Sequence, residues 1–258
     1  MIDLHCHVLP GIDDGPDDID ASVALAEAAA AVGTTVLAAT PHARHDHPLV
    51  DLERVPDACT EVNDRVPAGC DIRVVPGAEV DLLWAQRASD EELRLASFGQ
   101  RGTDLLVETP YGILPDTFED LLFQLEVRGY RILLAHPERN EAFQRDPMRL
   151  RGMAERGVLL QITLPALMRN DRRSRSRKLA IDLVREGLAH NLASDAHSAG
   201  PWRSPDLRAG LDALADVAPA RAEWMVTDVP AAILAGQPIP PPPLDNAKRR
   251  RLRLPGRR

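Results

Sequence analysis

Short apolar runs alternate with longer amphipathic segments along most of the chain. Residues 2–4 form the first apolar run, a helical pattern follows over residues 19–32, and the alternation continues to about Ala235. Short apolar runs are typical of buried strands, and apolar residues recurring every three or four positions predict helices. The other predicted strands are 35–39, 72–75, 105–107, 132–135, 158–162 and 191–193, and the other main helices 49–66, 117–128, 147–156 and 172–186.

This alternation predicts an α/β fold in which about seven strands pair in parallel through right-handed crossovers. Spread over roughly 235 residues, the units favour one closed or nearly closed barrel over two domains. Gly129, Gly157 and Gly187 each fall between a helix and the next strand, where a residue that adopts positive φ ends a helix easily. We expect one domain over residues 1–237, followed by a proline-rich, basic and disordered tail over residues 238–258.

The charge is divided unequally along the chain. The net charge is -8, but seven lysine or arginine residues lie among the last eleven, so the remainder carries about -15. Such an acidic body repels a nucleic-acid backbone, which disfavours general DNA or RNA binding. The N-terminus has no signal-peptide pattern, so we expect a cytoplasmic protein, and three cysteines without CxxC spacing argue against disulfides or a thiolate zinc site.

Histidines and carboxylates follow most of the predicted strands. His5 and His7 come at the end of the first strand, where alternate side chains point the same way and can reach one metal. Singly, such a residue is a helix cap or an ion-pair partner, but buried imidazoles and carboxylates are costly without partners. The recurrence favours a metal site at the C-terminal strand ends, where parallel barrels carry their chemistry. The later candidates are His42, Glu79, Glu108, His136, Asp195 and His197.

Seven motifs in order carry a family resemblance over about residues 1–237. They are Ile2-Asp3-Leu4-His5-Cys6-His7, Leu9-Pro10-Gly11-Ile12-Asp13-Asp14-Gly15, Ala39-Thr40-Pro41-His42, Gly77-Ala78-Glu79-Val80, Glu108-Thr109-Pro110, Ala135-His136-Pro137-Glu138-Arg139 and Ser194-Asp195-Ala196-His197. The chain resembles the PHP superfamily, the polymerase and histidinol phosphatase domain. Within it, the chain is most similar to the bacterial manganese-dependent tyrosine-protein phosphatases of capsule and exopolysaccharide operons.

The resemblance implies a distorted (β/α)7 TIM-like barrel with two or three divalent metal ions at the C-terminal strand ends. It favours manganese, although nitrogen and carboxylate ligands also suit iron or zinc. A hydroxide bridging two metals would attack phosphorus in line. Carried over residue by residue, the first metal takes His5, His7, Glu79 and Asp195, the second Glu79, Glu108 and His136, and the third Asp14, His42 and His197.

The resemblance also implies residues that handle the substrate. Arg139 corresponds to a phosphate-binding arginine, and Glu108 is expected to take part in catalysis as well as in metal binding. A second arginine is assigned to Arg203, although residues 198–202 depart from the family pattern and carry an insertion. Residues 43–47 also depart, so we expect His45 and His47 at the rim of the site and not among the ligands.

Several alternatives remain at the level of sequence. Histidinol-phosphate-type phosphatases, phosphodiesterases and exonucleases use the same scaffold, so the substrate is either the phosphotyrosine of a capsule-biosynthesis autokinase or a small phosphoester. A non-catalytic metal-binding interaction domain is a further alternative. Residues 59–65 fit the Cys-x5-Arg formula of cysteine phosphatases, but they lie in a helical pattern without glycine. The basic tail favours solubility or places the protein near an anionic membrane, and the oligomeric state is left open.

Overall fold

The computed structural model describes residues 1–169, 171 and 173–244. All seven predicted strands are present, and two of them continue into short extra segments. The predicted tail begins at residue 238. Residues 237–244 form no helix or strand, and residues 245–258 lie outside the described part of the chain. The strands are β1 (Ile2–Cys6), β2 (Val36–Ala39), β3 (His42–Ala43), β4 (Arg73–Pro76), β5 (Glu79–Val80), β6 (Asp104–Glu108), β7 (Arg131–Ala135), β8 (Leu159–Thr163) and β9 (Ala189–Ala193).

The strands form two parallel sheets whose spatial order follows the chain. One sheet has the order β1-β2-β4 and the other has the order β3-β5-β6-β7-β8-β9. Residues 40–41 separate β2 from β3, and residues 77–78 separate β4 from β5, so each of these two strands begins in the first sheet and ends in the second. The α/β class and the parallel pairing are therefore confirmed.

The predicted closed TIM-like barrel is not confirmed, because the hydrogen-bonded ladder does not close. In the described part of the chain, β1 approaches the segment after β9 through the isolated parallel bridge between Cys6 and Ala196. The His7 amide donates to the Ala196 carbonyl at 2.9 Å, and the Asp195 amide donates to the His5 carbonyl at 2.8 Å. The two breaks also interrupt the ladder, and at the first of them Pro41 has no N–H to donate.

Helices cover the outside of the strands and bury their apolar faces. Strand β6 is buried along its whole length, as expected for a parallel strand covered on both sides. Gly129, Gly157 and Gly187 all have positive φ, which confirms their predicted role in ending helices. The helices are α1 (Ile19–Ala31), α2 (Val55–Arg65), α3 (Leu82–Arg87), α4 (Asp90–Ala96), α5 (Phe118–Val127), α6 (Glu141–Arg145), α7 (Met148–Glu155), α8 (Leu164–Leu167), α9 (Arg175–Glu186), α10 (Leu207–Leu214), α11 (Pro219–Val226) and α12 (Asp228–Ala235).

One predicted helix begins later than expected, and one helix with a clear start signal in the sequence was missed. Helix α2 begins at Val55 and not at residue 49, because Asp51 forms a turn by accepting from the Arg54 amide, and Pro56 fits only the first turn of a helix. Helix α4 was not predicted, although Ser89 and Glu92 form a capping box that marks its start in the sequence. Among the described residues, we find no helix with the length and apolarity needed to cross a membrane.

His190 in β9 makes the fold sensitive to acid. The Leu160 amide donates to His190 Nδ1 at 3.2 Å, which requires a neutral ring. Burial, helped by the charge of Arg221 and opposed by a hydrogen bond at Leu188, lowers the pKa of His190 from 6.5 to about 4. The unfolded chain therefore binds a proton between these pH values that the folded chain does not, and stability falls as pH falls through this window.

We predict that His190→Asn flattens this dependence. The loss of unfolding free energy between pH 7 and pH 4.5, measured by urea unfolding, should be smaller than in the parent by on the order of 2 kcal/mol. His45→Asn, which removes an exposed histidine, is the matched control and should keep the parental slope. An unchanged slope in His190→Asn would contradict the prediction.

Candidate metal centre

The nine predicted ligands all lie at the C-terminal ends of the strands, on one face of the molecule. Eight of them are buried, and the side chain of Asp14 is 47% exposed. Parallel pairing explains the convergence, because every strand ends at the same edge. The positions are His5 (β1), His7 and Asp14 (after β1), His42 (β3), Glu79 (β5), Glu108 (β6), His136 (after β7), and Asp195 and His197 (after β9).

Glu79 is the centre of this cluster. Its Oε2 atom lies 3.1 Å from His5 Nε2, 3.3 Å from His7 Nε2 and 3.2 Å from His42 Nδ1. Its Oε1 atom lies 2.8 Å from His136 Nε2. Strand register explains the approach of His42, because the Cα atoms of His42 and Glu79 are partners in the β3–β5 ladder. One buried carboxylate thus contacts four imidazoles that are positioned by three strands, β1, β3 and β7.

The ligand atoms fall into four overlapping groups in which all atoms lie within 4.8 Å of one another. Two groups overlap with the expected partition. His5, His7 and Glu79 are three of the four residues expected around the first ion, and Asp14, His42 and His197, expected around the third ion, group together with His7. The expected second trio is divided. Glu108 groups with Glu79 and His42, whereas His136 groups with His5 and Asp195.

Burial and neighbouring charges shift the pKa values of the clustered carboxyl and imidazole groups in different directions. Burial would raise the pKa of Glu79, but the charge of His5 and hydrogen bonds with His136, His5 and His7 hold it well below its ordinary value. Burial and the charge of Glu79 raise the pKa of Glu108 to about 7. Burial opposes protonation of His7, but Asp13 and Glu79 outweigh it and raise its pKa to about 10. Buried carboxylates here need positive charge close by.

The donor set fits divalent metal ions. Two ligand atoms that each lie about 2.1 Å from an ion are at most about 4.2 Å apart, and the nitrogen–oxygen distances around Glu79 satisfy that limit. The Nε2 atoms of His5 and His7 lie only 3.3 Å apart. Within the described residues, the buried atoms His42 Nδ1, His197 Nε2 and Asp195 Oδ2 make no hydrogen bond of good geometry despite charged neighbours. Cations would satisfy these lone pairs.

Gln161 in β8 orients His5 and was missed at the sequence level. Its Oε1 atom lies 2.8 Å from His5 Nδ1, and its amide donates to Asn191 Oδ1 at 2.8 Å. Asn191 donates in turn to the Met225 carbonyl at 2.9 Å. This chain fixes the tautomer that leaves His5 Nε2 free for a metal. The available signal was a long polar side chain in the middle of the fully buried β8.

Asp13 holds His7 in the same way. Its Oδ2 atom lies 2.7 Å from His7 Nδ1 and accepts from the His42 amide at 3.2 Å, while its Oδ1 accepts from the Gly15 amide at 3.0 Å. A Cβ atom at Gly15 would lie 2.3 Å from the His7 carbonyl oxygen, so only glycine fits. The Asp13-Asp14-Gly15 element therefore supplies an orienting group, a candidate ligand and the space that both require.

Arg139 and Arg203 converge on Asp195. Arg139 Nη1 lies 2.6 Å from Asp195 Oδ2, and Arg203 Nη2 donates to Asp195 Oδ1 at 2.9 Å. Arg139 Nη2 also donates to Thr163 Oγ1 at 2.8 Å, and that hydroxyl donates to Glu138 Oε1 at 2.8 Å. Arg203 therefore lies at the cluster.

A third guanidinium, that of Arg44, was not expected there. Arg44 Nη1 donates to both Glu108 oxygens, at 3.3 Å and 3.1 Å, and Arg44 Nε donates to Asp46 at 3.0 Å. The ring of His47 stacks on that of His42 with centroids 4.9 Å apart, whereas His45 is exposed. The loop that departs from the family pattern thus contributes an arginine beside the candidate ligands.

The backbone is strained at the same place. His136, Asp195 and Arg203 have φ values of 37°, 53° and 54°, a region that favours glycine. Each such conformation costs on the order of 1–3 kcal/mol and persists only where surrounding contacts enforce it. Left-handed backbone after β7 and β9 turns these side chains into the cluster.

The cysteine-phosphatase alternative does not fit the structure. Cys59 is buried inside helix α2 and not at the start of a helix, and burial raises the pKa of its thiol to about 12. Arg65 lies in the last turn of the same helix and pairs with Glu61 at 3.1 Å. An unreactive thiol without a phosphate-binding loop cannot serve as the nucleophile.

Known proteins resemble the chain over nearly its whole length. It is 30% identical over 253 residues to the tyrosine-protein phosphatase YwqE of Bacillus subtilis, covering 98% of each chain. It is 31% identical over 199 residues to the putative tyrosine-protein phosphatase CapC of Staphylococcus aureus, covering 77% of each. It is 23% identical over 248 residues to CpsB of Streptococcus pneumoniae, covering 93% of this chain and 100% of that one.

Solved structures with a similar fold include those of the same relatives. A chain from crystal structures of YwqE and CpsB, described as metal-dependent tyrosine phosphatases, superimposes with a TM-score of 0.79 at 30% identity, covering 95% of this chain and 99% of that one. The lactonase Lmo2620 of Listeria monocytogenes shares only the fold, with a TM-score of 0.56 at 12% identity over 90% of this chain and 94% of its own. A family model described as "Capsular polysaccharide synthesis, CpsB/CapC" matches residues 1–234. The predicted resemblance is confirmed, and the chain belongs to the CpsB/CapC family.

Proposed function

We propose that this chain is a metal-dependent protein-tyrosine phosphatase. The observation that carries the proposal is the convergence of nine nitrogen and carboxylate ligands, with three guanidinium groups beside them, on one face. Cations in the cluster and arginines next to it together suit a doubly charged phosphoryl group. The similarity to the tyrosine-protein phosphatase YwqE and the putative tyrosine-protein phosphatase CapC supports the same activity.

We propose that all nine residues bind two or three divalent ions, with manganese favoured. Glu79 would be shared between ions, because its two oxygens face different imidazoles. The grouping favours His42 as the partner of Glu108 and His136 as the partner of Asp195. We further treat the two sheets as one distorted (β/α)7 barrel, since strand order follows the chain and β1 meets the segment after β9.

The chain's own residues would bind and orient the phosphoryl group. Bound divalent ions supply an activated water at neutral pH and offset charge on the phosphoryl oxygens. Arg139 and Arg203 would hold non-bridging oxygens with their forked donors. Thr163 keeps Arg139 in position, so the guanidinium loses little entropy on binding. The leaving group is a phenol with a pKa of about 10, and this lessens the need for a strong general acid.

The proposed substrate is the phosphotyrosine of a capsule or exopolysaccharide autokinase. The family description, capsular polysaccharide synthesis, supports this biological setting. A small-molecule phosphatase or phosphodiesterase of the same superfamily is the competing proposal, because the cluster recognises phosphate and leaves selectivity to the rim. A non-catalytic metal-binding domain is disfavoured by the positioned arginines.

Substrate and metal can be tested together. Chelated protein is reconstituted separately with manganese, iron or zinc and assayed on a phosphotyrosine peptide, histidinol phosphate and bis-p-nitrophenyl phosphate. We expect manganese-dependent turnover of the peptide. Turnover of another substrate alone would reassign the biology, and no turnover with any metal would contradict the enzymatic proposal.

Glu79→Gln should abolish activity without unfolding the protein. The substitution keeps the size of the side chain but removes the charge that faces four imidazoles. Bound metal per chain, measured by elemental analysis, should fall together with turnover, while circular dichroism stays native. Glu61→Gln removes the charge of an exposed surface pair and should change neither quantity. Retained turnover in Glu79→Gln would contradict the proposed centre.

Gln161→Met should weaken the site indirectly. Methionine fills similar space but cannot accept the hydrogen bond from His5 Nδ1. Loss of such an orienting partner typically costs about 10–100-fold in metal affinity or activity. Gln161→Glu, which keeps an acceptor, should lose less, and equal losses in both variants would show that the hydrogen bond is not the cause.

A further inference from the structure

Tyr111 presents an aromatic face beside the proposed phosphate-binding arginine. Its ring stacks on His136 with centroids 5.8 Å apart and an interplanar angle of 28°. The residue is nevertheless 65% exposed, so the ring side away from His136 is open to solvent. The chain has nine aromatic residues. The ring of Tyr111 is exposed and contacts a candidate metal ligand, so it has no role in the hydrophobic core.

The position of Tyr111 is fixed by the segment that carries Arg139. Arg139 Nη1 donates to the Tyr111 hydroxyl at 3.3 Å. Asn140, the next residue, is buried and donates to the carbonyls on both sides of Tyr111, at 2.7 Å to Pro110 and 3.3 Å to Gly112. The aromatic face and the guanidinium are therefore held as one unit after β6 and β7.

We propose that Tyr111 binds the aryl ring of the substrate and so selects phosphotyrosine over phosphate esters of short alkyl alcohols. The proposal rests on the phosphatase function and names a specificity determinant within it. An aryl phosphate whose oxygens contact Arg139 extends its ring away from the cluster, next to the open face of Tyr111. A serine or threonine phosphate has no ring to offer there. Ile113, which is 93% exposed, extends the same loop with apolar surface for residues flanking the phosphotyrosine.

Ring stacking gives selectivity of a predictable size. Offset aromatic pairs contribute about 0.5–1.5 kcal/mol beyond the area they bury, so the upper end corresponds to about tenfold in affinity. Methylphosphonate and phenylphosphonate share the phosphonate group and differ in the ring. Their affinity ratio therefore reports on the ring contact and cancels most of the contribution from ions and arginines.

The test is calorimetric titration of both phosphonates into the manganese-loaded full-length protein. We expect the parent to bind phenylphosphonate about tenfold more tightly than methylphosphonate, and Tyr111→Ala to reduce this ratio to about twofold or less. Tyr111→Phe keeps the ring, removes the hydroxyl and should retain the ratio. Phe123→Ala, which removes an exposed aromatic side chain of α5, is the matched control and should behave as the parent.

The outcomes separate the ring contact from other effects. No preference for phenylphosphonate in the parent, or a preference that survives Tyr111→Ala, overturns the proposal. An equal loss in Tyr111→Phe and Tyr111→Ala also overturns it, because the hydroxyl on Arg139 would then be responsible. Binding is measured without turnover, so an inactive parent would refute the phosphatase function while the phosphonate ratio still decides the role of Tyr111.

Discussion

The buried carboxylate of Glu79 sets the conditions for the rest of the site. A carboxylate that is 1% exposed is costly unless positive charge surrounds it, and four imidazoles positioned by three strands meet that need. The imidazoles in turn need partners on their far nitrogens, which explains the buried polar residues behind them, Gln161 and Asp13. The interior at this end of the strands is therefore a polar network whose parts are mutually dependent, whereas the remainder of the core is apolar.

The breaks in two strands serve this network. Before the breaks at residues 40–41 and 77–78, β2 and β4 pair in the first sheet. After them, β3 and β5 pair in the second sheet, where Glu79 is in register with His42 on one side and Leu106 on the other. An interrupted ladder is the structural cost of bringing these side chains to one point.

Local pattern in the sequence predicted the strands and eight of the nine candidate ligands, and the family resemblance added Asp14. Apolar runs report buried strands, and a histidine or carboxylate at a strand end keeps its place whatever the rest of the chain does. The change of sheet was not predictable. Thr40-Pro41 and Gly77-Ala78 indicate that strand pairing is interrupted, but they do not indicate which strand pairs with the segment that follows. Gln161, Asn191 and Arg44 were missed for the same reason, because their partners lie between 30 and 156 residues away in the chain. Contacts between residues so far apart in the chain produce no recognisable spacing in the sequence.

The meeting of the two ends of the strand series has a consequence for synthesis. His5 and His7 are translated some 190 residues before Asp195 and His197, and the Ser194 and Asp195 amides hydrogen-bond back to the first strand. A nascent chain that has been made only through β8 lacks both the Asp195 and His197 ligands and the backbone bridge at Cys6. Closing so long a loop costs conformational entropy, and ions bound by ligands from both ends would offset part of that cost. Assembly of the centre therefore waits until the segment after β9 has been synthesised.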